Sequence, residues 1–166
     1  RMYRIRLNDP CNLRLDGKAL IDGTVWDYAY VELGDPGIPH AVVPVKNLRD
    51  FDTAKLRELG RRLRYYPEFP KGANVNFYEI IGPDHIYERT YERGVEDFTY
   101  ACGTGTGSVV TVLTLLGKVS GHQVRVDMTG GQLMVDVERE GNQVTNLYLT
   151  GPTNIVCKGE ITDEAL

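Results

Sequence analysis

The sequence predicts an α+β chain of mainly antiparallel β-sheets, wrapped as a partial barrel around one central buried helix. Three observations carry this. Eighteen glycines and ten tyrosines in 166 residues favour a turn-rich β protein. Two segments, "NVNFYEIIGPDHIYERTYE" and "QVRVDMTGGQLMVDVERE", read as hairpins around GPD and around Gly130-Gly131. As a helix, "SVVTVLTLLGK" is apolar nearly all round, with Ser108, Thr111 and Thr114 as a thin polar line, and such a helix must be enclosed.

Taken in order, "MYRIRLND" alternates like a strand and "DPCNLRLDGK" reads as a loop. "TVWDYAYVELG" and "PHAVVPV" are strands, parted by a turn at "GDPGIP". Asp52 and Thr53 cap a short helix, "TAKLRELGRRLR", whose Ala54, Leu56, Leu59 and Leu63 share one face. Pro67 and Pro70 end any helix there. After the two hairpins, "QVTNLYLTG" and "NIVCKGEI" read as two closing strands. The run from Ser108 is locally ambiguous. Val109 to Val112 are all β-branched, whereas Gly117-Lys118 has the form of a helix C-terminus. Eight to ten strands around one buried helix is the expected architecture.

A net charge of -4 argues against a nucleic-acid surface, and the arginine-rich "RELGRRLR" reads as a solvated helix face. The longest apolar run is too short to span a bilayer. Cys11, Cys102 and Cys157 are odd in number and widely spaced with no CxxC. That pattern suggests neither a disulfide framework nor a zinc site. With no signal-peptide pattern in view, a reducing, cytoplasmic setting is expected.

The glycine-rich "YACGTGTGS", Tyr100 to Ser108, carries the chemistry. It lacks the GK[ST] of a Walker loop, its GxGxG spacing is wrong for a dinucleotide fingerprint, and no βαβ context surrounds it. A carboxylate cradle fits better, because glycine N–H groups and a helix start near Gly105 would converge on one anion. Cys102 stands just before that start, where a helix dipole should lower its thiol pKa toward the working range of a base.

"YERG" (Tyr91–Gly94) followed by "ACGTG" (Ala101–Gly105) resembles the second-cysteine motif of the diaminopimelate epimerase family. "GIPHAVV" is similar to the family's GNPHAV element, "FPKGANVNF" to its FPxxxNxxF element, and "LTGPTNIVCKGEI" to its closing segment. "YRIRLNDP" resembles the strand that opens its C-terminal domain. The resemblance implies a cofactor-independent isomerase without pyridoxal phosphate or metal, in which two cysteines flank the substrate α-carbon. One thiolate removes the proton and the opposite thiol returns one.

By the same resemblance, Cys102 is the second cysteine of the pair. Glu92 orients and deprotonates it, and His40 serves the other cysteine. Gly103, Thr104 and Gly105 hold the α-carboxylate, while Asn74 and Arg93 hold the distal end of an amino-acid substrate. Nothing here resembles the family's first cysteine motif, CGNGxR, and Cys11 reads as structural. Residues 1–166 therefore read as one domain, the C-terminal half of a two-domain epimerase whose N-terminal domain this chain does not contain. By itself such a half would be inactive; a homodimer is left open.

Ile38 stands where the family has asparagine, and Val95–Tyr100 is one residue longer than the family's link. Diaminopimelate is the first substrate implied. A racemase for another amino acid, of histidine or proline type, and a non-catalytic small-molecule-binding half-domain remain as alternatives.

Overall fold

The computed structural model describes residues 1–165. Ten strands form one continuous sheet: β1 Met2–Arg6, β2 Pro10–Ile21, β3 Thr24–Leu33, β4 Ile38–Pro44, β5 Asn74–Gly82, β6 His85–Glu92, β7 Asp97–Thr99, β8 Val124–Met128, β9 Gly131–Glu140 and β10 Gln143–Pro152. Two helices, α1 Thr53–Arg64 and α2 Gly103–Leu115, pack on its opposite faces. The sheet order is β1-β10-β9-β8-β6-β5-β4-β3-β2, with short β7 also beside β6. β4–β5 and β6–β8 pair in parallel, and every other pairing is antiparallel.

The sheet curls around α2, which touches strands from both of its halves, among them β3, β4, β5, β9 and β10. Val109, Val110, Val112 and Leu113 of the helix meet Val31, Val42, Ile86, Val126, Val135 and Leu147 of the strands. Enclosure on all sides explains how a run with four successive β-branched residues becomes a helix. Its burial against the curled sheet outweighs a propensity deficit of a few tenths of a kcal/mol per residue.

On the outer face, Leu56, Leu59 and Leu63 of α1 pack on Ala41, Val43, Val75, Phe77 and Tyr91. Helix α1 begins where its cap predicts, Asp52 Oδ1 accepting the Lys55 N–H at 2.8 Å. Its arginines form ion pairs, Arg57 with Asp97, Arg61 with Glu58, Arg62 with Asp22 and Arg64 with Glu96. The run is thus a solvated face, as the sequence suggests.

The structure corrects two local readings. "DPCNLRLDGK" is not a loop: from Pro10 onward it lies within β2, paired with β3. Register shifts at Cys11/Arg14 and Arg14/Gly17 and a positive φ at Asn12 break the alternation by which a strand is recognised. "NIVCKGEI" is not a strand: its residues lie outside the sheet and exposed. Strand β10 ends at Pro152, and the Thr153 N–H donates to Arg1 O at 2.8 Å as the chain leaves the sheet.

Candidate active site at the start of helix α2

Cys102 is the N-cap of α2, in an extended conformation with φ -136° and ψ 104°. Its Sγ accepts the Gly105 N–H at 3.4 Å. The helix starts at Gly103 rather than near Gly105. Of the three amides expected to cradle a carboxylate, that of Gly105 is therefore occupied by Cys102. Those of Gly103 and Thr104 stand in the first turn, where no partner exists four residues back.

Small residues let this turn approach the sheet. A Cβ on Gly105 would overlap Asn76 Nδ2, and one on Gly107 would come within 2.6 Å of Leu7 Cδ1. Gly105→Ala is therefore expected to cost about 2–4 kcal/mol. The cost combines overpacking with the loss of hydrogen bonds at Asn76 and is readable as a lowered urea midpoint.

The period of two sends His40, Asn76, Glu88 and Thr90 to the inner face of adjacent strands β4, β5 and β6, toward α2, while Ala41, Val75 and Phe77 face α1. Glu88 is 2% exposed, and its carboxylate accepts from Asn76 Nδ2 (2.8 Å), Thr90 Oγ1 (3.1 Å) and Thr106 Oγ1 (2.9 Å). With Asn76 Nδ2 directed at Glu88, Asn76 Oδ1 faces His40 Nδ1 at 2.8 Å. An amide oxygen only accepts, so Nδ1 carries the imidazole proton. Nε2 of the neutral ring is then an acceptor, and Thr104 Oγ1 donates to it at 3.1 Å. Thr104 Oγ1 also lies 3.7 Å from Cys102 Sγ. With its own proton directed at His40, the hydroxyl is left to accept from the thiol.

Burial pushes the His40 pKa down to about 4, with the Arg93 charge adding to the effect against the Asn76 hydrogen bond. Burial pushes Glu88 up to about 7, against the hydrogen bonds of Asn76, Thr106 and Thr90. The expected lowering of the Cys102 thiol is reversed. Burial raises its pKa, and the Glu88 and Glu92 charges add to the rise, outweighing the Gly105 N–H and the donation that a turned Thr104 hydroxyl would make to a thiolate. Cys102 thus rests as a thiol. Placement at a helix start has less effect than removal from water beside two carboxylates.

The remaining sequence-predicted residues gather around this centre. Asn74 ties strand β4 to the turn after β6, its Nδ2 donating to Pro39 O at 3.1 Å and its Oδ1 accepting the Arg93 N–H at 2.8 Å. The Arg93 guanidinium donates to Lys71 O at 2.8 Å. Glu92 is half-buried at the end of β6. Among the described residues its carboxylate makes no hydrogen bond to Cys102, whose recorded partners are Thr104 and Gly105. Cys11 donates to Gly34 O at 3.4 Å and shares no hydrogen bond with this cluster among the described residues.

Asn76, Glu88, Thr90 and Thr106 were absent from the sequence-level candidates. Phase gives a signal for Glu88 and Thr90: they continue the inward positions begun by buried Ile86 in β6, where apolar residues are expected. Among the described residues no group of three or more His, Cys, Asp or Glu is placed to hold a metal. No helix of the structure is long and apolar enough to cross a membrane.

Residues 34–156 match the family model described as diaminopimelate epimerase. A diaminopimelate epimerase of Chlorobaculum tepidum is 40% identical over 160 residues, covering 96% of this chain and 58% of the relative. One from Aquifex aeolicus is 40% identical, covering 100% of this chain and 57% of its own length. A third, from Leptospira biflexa, is 37% identical and is covered over 46% of its length. The chain thus spans about half the length of the curated relatives it matches.

Among solved structures, a probable proline racemase from Agrobacterium radiobacter K84 with bound carbonate aligns with a TM-score of 0.64 at 21% identity, over 90% of this chain and 50% of that one. A PhzF-family protein of Enterococcus faecalis aligns at 0.52 and 14%, over 82% of this chain and 40% of that one. At such identities the likeness concerns the fold alone. By the family match over residues 34–156 and the 40% identity to two curated relatives, the chain belongs to the diaminopimelate epimerase family.

Proposed function

We propose that residues 1–166 are the C-terminal, second-cysteine half of a cofactor-independent amino-acid epimerase, with Cys102 as one of its two proton-transferring groups. The observation that carries this reading is the seat of Cys102: a thiol capping a buried helix, beside the first-turn amides of Gly103 and Thr104. A substrate α-carboxylate on those amides would lie against the positive end of α2. As the α-proton leaves, negative charge spreads from the α-carbon onto that carboxylate, and fixed N–H dipoles stabilise it without reorganising.

In this scheme a thiolate from the second domain takes the α-proton, breaking C–H and forming S–H. Cys102 gives its proton to the opposite face, breaking S–H and forming C–H. Its raised pKa suits the donor side of the resting pair. For the reverse direction Glu92 would orient Cys102 and take its proton, with Asn74 and Arg93 bordering the substrate's distal end.

Diaminopimelate is the first substrate to test, because the curated relatives carry that name. A second reading, another amino acid, is supported by Ile38, a part-exposed apolar side chain two residues before His40. It puts no amide at a rim where a polar substrate end would seek a partner.

The test is α-proton exchange from diaminopimelate, histidine and proline in heavy water by the complete gene product, followed by NMR. Exchange at diaminopimelate supports the first reading. Exchange confined to another amino acid replaces the substrate, and no exchange with any amino acid removes the epimerase reading.

A further inference from the structure

We infer that Glu88 is a positioning residue: acting through Asn76, it fixes the tautomer of His40 and so directs a hydrogen-bond chain that ends with Cys102 as a proton donor. Its importance for catalysis rests on the reading of Cys102 given above; the geometry does not. The chain has one consistent polarity. Glu88 Oε1 accepts from both Asn76 Nδ2 and Thr90 Oγ1, so any proton it gains must sit on Oε2, toward Thr106. In either state Asn76 keeps its amide nitrogen on Glu88 and its oxygen on His40. His40 must then donate from Nδ1 and accept at Nε2, Thr104 must donate to Nε2, and the Cys102 thiol must donate to Thr104.

The polarity restricts how Cys102 can lose its proton internally. A thiolate calls for the Thr104 hydroxyl to turn and donate to sulfur, which leaves Nε2 needing a proton of its own. The concerted route breaks S–H and forms O–H at Thr104 while that hydroxyl's former proton forms N–H at His40 Nε2. The products are a thiolate and an imidazolium, the latter still bound through Nδ1–H to Asn76. Arg93 opposes that imidazolium, and Glu88 and Glu92 oppose the thiolate. The resting balance therefore lies with the thiol. Among the described residues, no other side chain hydrogen-bonded to Asn76 is a carboxylate. Thr90 and Thr106 hydroxyls can rotate, so Glu88 is the group that fixes the amide's direction.

The test uses the complete gene product without substrate. Histidine is labelled with 15N, and the His40 signals are assigned by their loss in His40→Gln. The expected wild-type spectrum is that of a neutral imidazole protonated at Nδ1. Glu88→Gln removes the charge but keeps an acceptor oxygen for Asn76, and should preserve that tautomer. Glu88→Leu removes both; Asn76 is freed to turn and the Nε2-protonated form should appear. In that form Nε2–H donates to Thr104 and Thr104 donates to sulfur, which favours thiolate.

The pH midpoint of Cys102 alkylation, read by mass spectrometry, should accordingly fall in Glu88→Leu by about one unit more than in Glu88→Gln. That is the tenfold effect of one hydrogen bond to a charged group. Adding Thr104→Val to Glu88→Leu should abolish the extra shift, whereas adding Thr104→Ser should retain it. An Nε2-protonated His40 in the wild type overturns the inference and needs no variant to be stable. So does an unchanged tautomer in Glu88→Leu, or an equal midpoint in the Leu and Gln variants. None of these readouts depends on turnover, so loss of the epimerase reading and loss of this one are separately visible.

Discussion

Replacing Cys102 with serine in the complete gene product is expected to lower α-proton exchange by about 10²–10⁴-fold, the usual contribution of one positioned acid–base group, while leaving thermal stability within about 1 kcal/mol of wild type. Serine is the informative substitution because Cys102 has two roles at one atom. Sγ caps α2 through the Gly105 N–H at 3.4 Å, and it is the proposed proton donor. A serine hydroxyl is a good cap but a far weaker acid than a thiol, so the roles separate. Cys102→Ala removes both and should lower exchange as far while losing about 1 kcal/mol of stability in addition. Deuterium incorporation by NMR and a thermal melt on the same preparations supply both numbers. Exchange near the wild-type rate in the serine variant would remove Cys102 from the chemistry and leave it only the cap.

The second large effect is hidden in the wild type and appears when one of two buried groups is removed. His40 titrates near pH 4 in the folded protein and near 6.5 when exposed. As pH falls through that window, the unfolded chain binds a proton that the folded one refuses, and stability is lost. Glu88 behaves oppositely: its folded value is about 7 against 4.5. As pH falls through its window, the folded chain binds a proton that the unfolded one does not, and stability is gained.

Each shift is worth about 3 kcal/mol at 1.36 kcal/mol per pH unit. Between about pH 4.5 and 6.5 the two slopes nearly cancel. Glu88→Gln should expose the histidine slope, so that its urea midpoint drops steeply on acidification relative to wild type. His40→Asn should expose the carboxylate slope, its midpoint rising over the same window relative to wild type. Comparison with wild type at each pH subtracts carboxylates such as Glu32, Glu68 and Asp127, whose lowered values give every variant the same acid sensitivity. Parallel midpoint curves for the three proteins would show that folding shifts neither pKa.

Much of this architecture is written locally. Helix α1 could be bounded from its Asp52 cap, its apolar face and the prolines beyond it. The Gly130-Gly131 hairpin follows from alternation that changes phase at a turn. The motif around Cys102 could be found because glycine spacing and a neighbouring thiol are sequence properties. Strand β2 was hidden because its bulges break the period that marks a strand, and because it is β3 that stabilises it. The tail from Asn154 has the composition of a strand and does not become one, because composition makes a strand possible while pairing depends on a partner distant in sequence.

The sequence by itself determined the fold class, the buried helix, the family and the thiol at the centre of the site. Tertiary structure alone decided the state of that thiol. The local rule lowers a cysteine pKa at a helix start, whereas enclosure by the curled sheet and the nearness of Glu88 and Glu92 raise it. It also decided which residues support the thiol, because Asn76, Glu88, Thr90 and Thr106 meet only when β5, β6 and α2 converge. Desolvation and hydrogen-bond direction depend on what surrounds a group in space, and the order of residues along the chain does not contain that surrounding.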